Sequence, residues 1–414
     1  MGGKCRVSGE ALTEVLDLGN LYLNDFPEKV DEKAPRGPLR LGMGGSSGLL
    51  QLFDSVESDL LYRQYWYRSG TNATMTRQLA DIVDNVPCWV RLEDGDHVLD
   101  IGCNDGTLLK HYPAAPKLVK VGIDPARNIA PFGREVCDLH ANEYFTKETY
   151  LGLTGGTKAK VVTSIAMFYD LEDPHTFVDD IRACLDDRGV WILQLSYTPL
   201  MLKQNAFDNI VHEHIEYYSL TTIDRLIKQH DLKVLSVDFN DVNAGSIRVV
   251  VAHSRYDGRD TTLFDRDIGE YQYNAIIAYE QSIGADRPEA IYAFKQRIEE
   301  RRDQTVDLLT SLKKQGKTVY GYGASTKGNT LLQYYGIDSS LITAIAERQL
   351  GKVGRLTVGS WIPIVSETEM RAAKPDYLFV LPWHFFNEFY RREGDFLKRG
   401  GKFITPLPDL QIIG

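Results

Sequence analysis

The chain has 414 residues, of which 43% are hydrophobic and 25% charged, and its net charge is −10 with a pI near 5.5. This composition is typical of a globular protein of two or three domains, and the acidic balance argues against a nucleic-acid partner, which needs a basic face. Five cysteines, no visible signal peptide and no apolar run of the ~20 residues that span a bilayer predict a cytoplasmic protein without a membrane partner. The sequence assigns no oligomeric state.

The predicted elements, in chain order, describe an α/β protein. Residues 1–70 form a small irregular N-terminal lobe, in which glycine and proline interrupt short apolar runs. Residues 71–260 alternate helices and strands, as in a mostly parallel sheet with crossover helices. Residues 261–316 are predicted to be a charged, solvated helical connector, and residues 317–414 a second, smaller α/β domain. The predicted strands are residues 97–101, 117–123, 159–165, 190–195, 246–253, 318–322, 342–346, 377–380 and 402–405.

A glycine turn follows the first predicted strand of the larger α/β domain. Within residues 98–109 the turn from Gly102 to Gly106 lets backbone approach a ligand closely, and the helix start behind it presents free N–H groups. Asp124 ends the next strand, where an acidic side chain can hold both hydroxyls of a ribose. The spacing is not the Gly-x-Gly-x-x-Gly of dinucleotide folds, and the alternative to a nucleoside cofactor site is a tight turn in an unrelated α/β domain.

Residues 205–219 concentrate more chemically active side chains than any other segment. Between His212 and Tyr218 lie two imidazoles, two carboxylates and two phenols, and the segment follows a predicted strand. A His–Glu–His group at that position can accept a proton near neutral pH. If the segment is extended, His212 and His214 share one face and Glu213 points the other way. A metal site, a structural histidine cluster and a simple helix start are the alternatives.

A second strand, glycine turn and helix start occupy residues 319–330. Ser325 and Thr326 can cap the helix. Lys327 adds a positive charge beside the positive end of the helix, which suits a pyrophosphate. The spacing is not that of a P-loop. The chain therefore carries two candidate nucleotide sites, with the His–Glu–His segment between them in sequence.

These motifs resemble class I S-adenosylmethionine-dependent methyltransferases, and among them the C-methyltransferases that act on nucleoside-diphosphate-linked 4-keto-deoxysugars. The resemblance covers nearly the whole chain with its motifs in the expected order. It implies a Rossmann-like cofactor domain, a smaller Rossmann-like C-terminal domain that holds the nucleotide of the substrate, and S-adenosylhomocysteine as a product. The matching segments are residues 65–71, 100–106, 207–214, 218–219, 243–248, 321–330, 375–377 and 381–384.

The resemblance also assigns roles to individual residues. His214 is implied as the base that removes the proton next to the ketone, with Glu213 orienting or polarising, His212 assisting, and Tyr67 in the segment that closes over cofactor and sugar. The implied cofactor contacts are Asp100, Gly102, Asn104, Gly106, Asp124 and, near adenine, Asn142. The expected substrate contacts are Asn209, Asn243, Ser246, Arg248, Tyr322, Ser325, Thr326, Lys327, Asn329 and, by position after a strand, Glu347.

The chain departs from this family at two positions near the chemistry. Val211 stands where relatives often carry a tyrosine, and residues 167–170, ending in Asp170, replace a frequent histidine. The nucleotide, the sugar and the methylated carbon are therefore not named by the sequence. The alternatives are a methyltransferase on the same scaffold that acts on oxygen or on a non-sugar carbon acid, and a non-catalytic nucleotide-sugar binding protein.

The N-terminal lobe resembles a degenerate zinc domain. The family usually binds zinc there through two Cys-x-x-Cys pairs, whereas this chain has Cys5 and Ser8 at one pair and Gly44 and Ser47 at the other. One cysteine does not make a tetrahedral thiolate site. We therefore expect no zinc and a lobe held together by packing.

Overall fold

Three β-sheets organise the chain. The structure is a computed structural model and describes residues 3–57, 61, 67–256 and 266–414, without the side chains of Asn243 and Arg266. The role predicted for the Asn243 side chain and the match at residues 65–66 lie outside the described part. Each predicted strand is present, with bounds shifted by up to several residues. The α/β class is confirmed.

The N-terminal lobe contains an antiparallel sheet, for which the sequence predicted no strands. Its strands are Leu12–Tyr22, Arg36–Gly44 and Leu50–Leu52, completed by Glu216–Tyr217 from the segment that carries His214. Two register shifts in the first hairpin disturb the alternation of inward and outward side chains by which a strand is recognised in sequence. Gly42 is required because a Cβ there would lie 2.5 Å from the Phe53 ring. The candidate catalytic segment is therefore hydrogen-bonded to the lobe as its fourth strand.

The central sheet is Rossmann-like. Five neighbouring strands run parallel, and the first two strands in the order below form an antiparallel hairpin at one edge of the sheet. In sheet order, the strands are Leu232–Asn240, Ser246–His253, Leu185–Ser196, Ala159–Ile165, His97–Ile101, Val119–Ile123 and Leu139–Ala141. The carboxyl ends of the parallel strands meet on one edge, where ligands bind in sheets of this kind.

The C-terminal sheet repeats the parallel arrangement on a smaller scale. Its strands in order are Ile364–Ser366, Ile345–Glu347, Val319–Tyr322, Tyr377–Val380, Lys402–Thr405 and, antiparallel at the edge, Gln411–Ile413. The α-helices described around the central and C-terminal sheets are Ala73–Asn85, Thr107–Lys110, Ala130–Arg134, Lys147–Thr154, Pro174–Cys184, Thr198–Lys203, Leu220–Lys228, Thr326–Tyr335, Glu367–Ala373, Phe386–Arg392 and Gly394–Lys398.

The connector consists of two helices, Arg266–Ile283 and Pro288–Lys314, and it is not simply solvated as predicted. The longer helix buries a stripe of side chains that recur at helical spacing, while its charges lie on the other face. The stripe packs in one hydrophobic core together with side chains of the N-terminal sheet and of the C-terminal domain. The buried residues are Ile291, Phe294, Ile298, Thr305, Leu309 and Leu312. No helix in the described part of the chain has the length and hydropathy to cross a bilayer.

The four positions of the degenerate zinc pairs come together in the N-terminal lobe. The Cys5 Sγ lies 3.0 Å from the Ser47 Oγ, and the Ser8 amide donates to the Cys5 sulfur at 3.4 Å. A Cβ at Gly44 would lie 2.5 Å from that sulfur. Packing and these hydrogen bonds thus connect the four positions, and within the described residues no group of three or more His, Cys, Asp or Glu side chains could hold a metal ion.

Candidate active site between two glycine turns

The first glycine turn has the backbone geometry that its sequence predicts. Gly102 and Gly106 have φ of +70° and +75°, a region that favours glycine. The Asn104 amide, in the same turn, donates to the Asp124 Oδ2 at 2.8 Å, and the Ala126 amide donates to the other oxygen at 2.8 Å. Asp124 is thereby fixed at the end of the second strand and faces the turn.

Two carboxylates therefore meet the glycine backbone at the edge of the central sheet. Asp100 accepts a hydrogen bond of 2.6 Å from the Thr163 hydroxyl, and burial raises the pKa of Asp100 to about 7. Burial also raises the pKa of Asp124. Asp100, Gly102, Asn104 and Asp124 line one large cavity. Carboxylate acceptors beside exposed glycine backbone fit a ligand with ribose hydroxyls and a cationic methionine part, such as S-adenosylmethionine.

Gly106 and Asn142 stabilise the first glycine turn but do not line the described cavity. The Asn142 Nδ2 donates to the backbone oxygen of Asp124 at 2.8 Å, so Asn142 holds the acidic residue in place. A Cβ at Gly106 would lie 2.8 Å from the Val136 Cβ, so this position needs glycine for both its φ and its surroundings. Neither of these two predicted cofactor contacts is among the residues that line the cavity.

We expect Gly106→Ala to destabilise the protein and weaken cofactor binding. The left-handed φ and the contact with Val136 together cost about 2–4 kcal/mol. Gly155→Ala is the matched control, because Gly155 also has a positive φ, +63°, but nothing lies within 4 Å of its Cβ position. Urea unfolding and calorimetric binding of S-adenosylhomocysteine measure the two effects. Equal losses in the two variants would show that the contact with Val136 is unimportant.

The segment from Tyr67 to Thr71 is hydrogen-bonded to the same turn. The Ser69 and Gly70 amides donate to the side chains of Asn104 and Asp105, each at 3.0 Å, and the Asn104 Nδ2 donates to the Tyr67 carbonyl at 3.2 Å. Tyr67 lines the cavity, and burial raises its pKa to about 12, so its phenol remains protonated. The Tyr67 hydroxyl is therefore available as a donor at the cavity.

The His–Glu–His segment forms a tight turn, which is neither the extended nor the helical alternative. The His214 amide donates to the Val211 carbonyl at 3.1 Å, and this turn places Glu213 and His214 on the cavity wall. His212 is buried on the opposite side, where its Nε2 donates to the Gly37 carbonyl at 3.1 Å. His212 and His214 therefore do not share a face, as they would in an extended segment. His212 is positioned to hold the N-terminal sheet, away from the cavity.

His214 has the protonation pattern of a base. Its Nδ1 lies 3.0 Å from the Asn209 carbonyl, which can only accept, so Nδ1 carries the proton and Nε2 carries the lone pair. Burial, followed by the positive charge of Lys327, lowers the pKa of His214 to about 3 and keeps the ring neutral. The ring packs against Tyr169, with 4.4 Å between ring centroids.

Because the fold lowers the pKa values of His214 and His384, we expect the protein to become less stable as the pH falls. Burial lowers both to about 3, whereas an unfolded histidine has a pKa of about 6.5. Between these values the unfolded chain binds more protons, so each histidine destabilises the fold as pH falls from about 6.5.

Urea unfolding at pH 7 and pH 5 tests this in wild type and His214→Gln. At pH 5 the wild type should lose on the order of 1–2 kcal/mol relative to the variant. Comparing the two proteins cancels groups of opposite sign such as Glu216, whose pKa burial raises to about 8. A difference between the proteins that is the same at both pH values would contradict the prediction.

Glu213 is held by a residue that the sequence did not reveal. Asn24, which follows the first strand of the N-terminal lobe, donates from Nδ2 to the Glu213 Oε2 at 3.1 Å. Burial raises the pKa of Glu213. Asn24 lines the cavity, and its Oδ1 is buried with no hydrogen-bond partner in the described part of the chain. An isolated asparagine in a lobe predicted to be irregular carries no sequence signal for this position.

The C-terminal glycine turn reproduces the geometry of the first one. The Ala324 amide donates to the Glu347 Oε2 at 2.8 Å, as the Asn104 amide does to Asp124. Ser325 caps the following helix by accepting from the Gly328 amide at 3.0 Å, as predicted. In both turns, an acidic side chain at the end of one strand thus accepts a hydrogen bond from the glycine turn that follows the neighbouring strand.

Several predicted substrate contacts lie away from the described cavity lining. Arg248 is buried and pairs with Asp81 at 2.8 Å, the Ser246 hydroxyl donates to the Val242 carbonyl, and the Asn329 side chain donates to the Asp25 carbonyl. Their hydrogen bonds hold neighbouring strands and loops, because each side chain faces protein groups and not the cavity. Tyr322, Ser325, Thr326, Lys327 and Glu347 do line it.

Cationic side chains collect on the C-terminal side of the cavity. Lys327, Arg348, Lys352 and Arg392 line it, and the Lys352 ammonium donates to the Ala324 carbonyl at 2.8 Å. Only Lys327 was predicted; Arg348 and Lys352 come from the loop after the Ile345–Glu347 strand, and Arg392 ends the Phe386–Arg392 helix. The Tyr322 hydroxyl donates to Glu393 at 2.7 Å, which fixes the strand that enters the turn.

The cavity joins both glycine turns and the candidate base in one space. Its volume is about 1850 Å³, well above the roughly 300–1,000 Å³ of a pocket for one small ligand. Residues from the N-terminal lobe, the central domain and the C-terminal domain all line it. The arrangement has room for two ligands, one on each glycine turn, with His214 between the domains that hold them.

Comparisons with known proteins identify the family of the chain. Residues 71–237 match the profile of a methyltransferase domain, and residues 241–408 match that of the C-methyltransferase C-terminal domain. The C-methyltransferase NovU of Streptomyces niveus is 32% identical over 369 residues, which cover 88% of this chain and 85% of that protein.

Among solved structures, the magnesium protoporphyrin IX methyltransferase of Synechocystis with bound SAH has a TM-score of 0.35 and 14% identity, covering 44% of this chain and 88% of that one. An S-adenosylmethionine-dependent methyltransferase of Clostridium acetobutylicum has a TM-score of 0.31 and 14% identity, covering 43% and 92%. The identity and coverage of the NovU match, with the C-terminal domain profile, decide the assignment. The chain belongs to the family of S-adenosylmethionine-dependent C-methyltransferases.

Proposed function

We propose that the protein methylates the carbon next to the ketone of a nucleotide-linked keto-deoxysugar, in the cytoplasm, through base-catalysed enolisation. The observation that carries the proposal is the neutral His214, with its lone pair on Nε2, in a cavity that joins two glycine turns. The first turn would hold S-adenosylmethionine through Asp100 and Asp124. The second would hold the nucleotide of the substrate.

His214 would act as the general base. A ketone acidifies the neighbouring C–H bond, so Nε2 can take that proton while the C–H electron pair moves into an enolate. S-adenosylmethionine, when bound, supplies an electrophilic methyl group on a positively charged sulfur. The enolate carbon forms the new bond to this methyl group as the bond from methyl to sulfur breaks, and sulfur keeps that electron pair. Charge is thereby balanced without a further reactant.

The other cavity side chains have assisting roles in the proposal. Tyr67 stays protonated and can donate to a developing oxyanion. Glu213, held by Asn24, would orient the sugar ring. Val211 and Asp170, the two departures from the family, both line the cavity, and we assign the choice of sugar to this part of the wall.

The substrate's nucleotide would lie on the C-terminal turn. Ser325, Thr326 and Lys327 stand at the start of a helix, where backbone N–H groups and the helix dipole favour phosphate. Glu347 occupies the position that Asp124 has in the cofactor site, which suits a ribose. Binding far from the reacting carbon can then be used to place that carbon beside His214.

Proton exchange in deuterated water tests the reaction class. We expect the protein to exchange the hydrogen next to the ketone of a nucleoside-diphosphate 4-keto-deoxysugar, detected by mass spectrometry, and to add one methyl group to carbon when S-adenosylmethionine is present. The His214→Gln variant should do neither. Methyl transfer to oxygen, or transfer to carbon acids but not to any nucleotide-linked sugar, would overturn the proposal.

A further inference from the structure

Asn209 touches both the candidate base and the cation of the second glycine turn. Its backbone carbonyl accepts from the His214 Nδ1 at 3.0 Å, and its side-chain Oδ1 accepts from the Lys327 ammonium. Lys327 comes from the C-terminal domain, 118 positions further along the chain. One residue therefore connects the group expected to meet the substrate's phosphates with the group expected to take the proton.

The ammonium group of Lys327 lies in poorly solvated surroundings. Burial lowers its pKa, and the neighbouring Asp208 opposes that effect. Burial raises the pKa of Asp208 itself to about 6, and the Trp383 Nε1 donates to one of its oxygens at 3.1 Å. The same lysine lowers the pKa of His384, which lines the cavity beside it.

The charged and titratable groups around His214 come from three parts of the chain. Lys327 and His384 belong to the C-terminal domain, Glu213 to its own turn, and Tyr169 with Asp170 to the loop after the Ala159–Ile165 strand. Of these groups, Lys327 is the one whose charge acts on His214 in the direction of a weaker base.

We propose that Asn209 is a positioning residue that couples Lys327 to His214, so that an anion bound at Lys327 makes His214 a stronger base. The coupling depends on the proposed function only in taking His214 as the base. An anion beside Lys327 cancels the positive charge that opposes protonation of the imidazole. The base would thus be weak in the empty enzyme and become effective once the phosphates of a substrate are in place.

Histidine-labelled protein followed by NMR between pH 2.5 and 7 tests the coupling without any turnover. The His214 signal is assigned by its loss in His214→Gln, and inorganic pyrophosphate is the probe anion. We expect pyrophosphate to raise the proton affinity of His214 about tenfold in the wild type. Lys327→Met should give a similar rise without any anion and no further response to pyrophosphate.

Three further variants separate coupling from general disturbance of the cavity. Lys327→Arg keeps the charge and should retain the wild-type behaviour. Lys352→Met removes another cation that lines the cavity but is bonded to Ala324, and it should leave the His214 signal unchanged. Asn209→Ala removes the link to Lys327, so pyrophosphate should raise the proton affinity of His214 by less than half the wild-type factor, while His384 still responds.

The proposal fails if Lys327→Met leaves the proton affinity of His214 unchanged, or if pyrophosphate does not raise it in the wild type. A full response of His214 in Asn209→Ala would remove Asn209 as the coupling residue. None of these results depends on the acceptor, so loss of the sugar proposal in the exchange experiment would be recognised separately.

Discussion

His214→Ala is expected to reduce kcat by about 10²–10⁴-fold, the usual contribution of a positioned general base. The hydrogen bond from Nδ1 to the Asn209 carbonyl leaves the lone pair of His214 on Nε2. Alanine has no group that can accept a proton in its place. Because the role proposed for His214 is to remove a proton in the chemical step, we expect KM to change much less than kcat. Single-turnover methyl transfer, followed by mass spectrometry, measures the loss.

His212→Ala is the control for His214→Ala, since it removes an imidazole two residues away that faces Gly37 and not the cavity. It should lower the unfolding free energy by about 1–3 kcal/mol, the cost of an unsatisfied buried group, and keep kcat near wild type at temperatures where it is folded. A large loss of kcat in folded His212→Ala together with an active His214→Ala would reverse the assignment.

Glu280→Ala is expected to lower the unfolding free energy by about 3–5 kcal/mol. Glu280 is only 2% exposed and accepts hydrogen bonds from the Tyr197 hydroxyl at 2.7 Å, the Leu220 amide at 2.7 Å, and the Thr221 amide and hydroxyl at 2.8 and 2.5 Å. Removing the carboxylate leaves these buried donors unsatisfied at the start of the Leu220–Lys228 helix. That helix directly follows the segment that carries His214.

Urea unfolding of Glu280→Ala beside Glu270→Ala measures this effect. Glu270 lies on the same helix but is exposed, so its loss should change stability by about 0.5 kcal/mol or less. Glu280→Gln keeps one acceptor oxygen and should fall between the wild type and Glu280→Ala. Equal stability of the two alanine variants would show that the buried carboxylate contributes little.

The two glycine turns were readable from sequence because their structure is local. A strand, a turn at positive φ and a helix start need particular residues within about ten positions, and Gly102, Gly106 and Ser325 are such residues. The acidic residue at the end of the next strand follows from parallel topology. Asp124 and Glu347 consequently lie where the pattern placed them, each accepting from the amide of its turn.

Residues far away in the sequence decide the direction in which the side chains of the His–Glu–His turn point. His212 is drawn to the Gly37 carbonyl, 175 positions away, and Glu213 to Asn24, 189 positions away, so the three residues do not follow the alternation of an extended segment. Neither partner has a motif. The antiparallel sheet that supplies them was itself hidden by register shifts and glycines in its strands.

The sequence by itself therefore determined the two glycine turns, since these rest on short patterns of conformationally demanding residues, and its motifs were enough to indicate the family and, by resemblance, His214 as the candidate base. Only the tertiary structure decided which side chains share the cavity. It directed His212, Arg248 and Asn329 toward protein partners, and it brought Asn24 and the cations at positions 348, 352 and 392 to the wall. These orientations are selected by hydrogen bonds and packing between residues that are far apart in the chain. Such contacts cannot be read from a local sequence pattern.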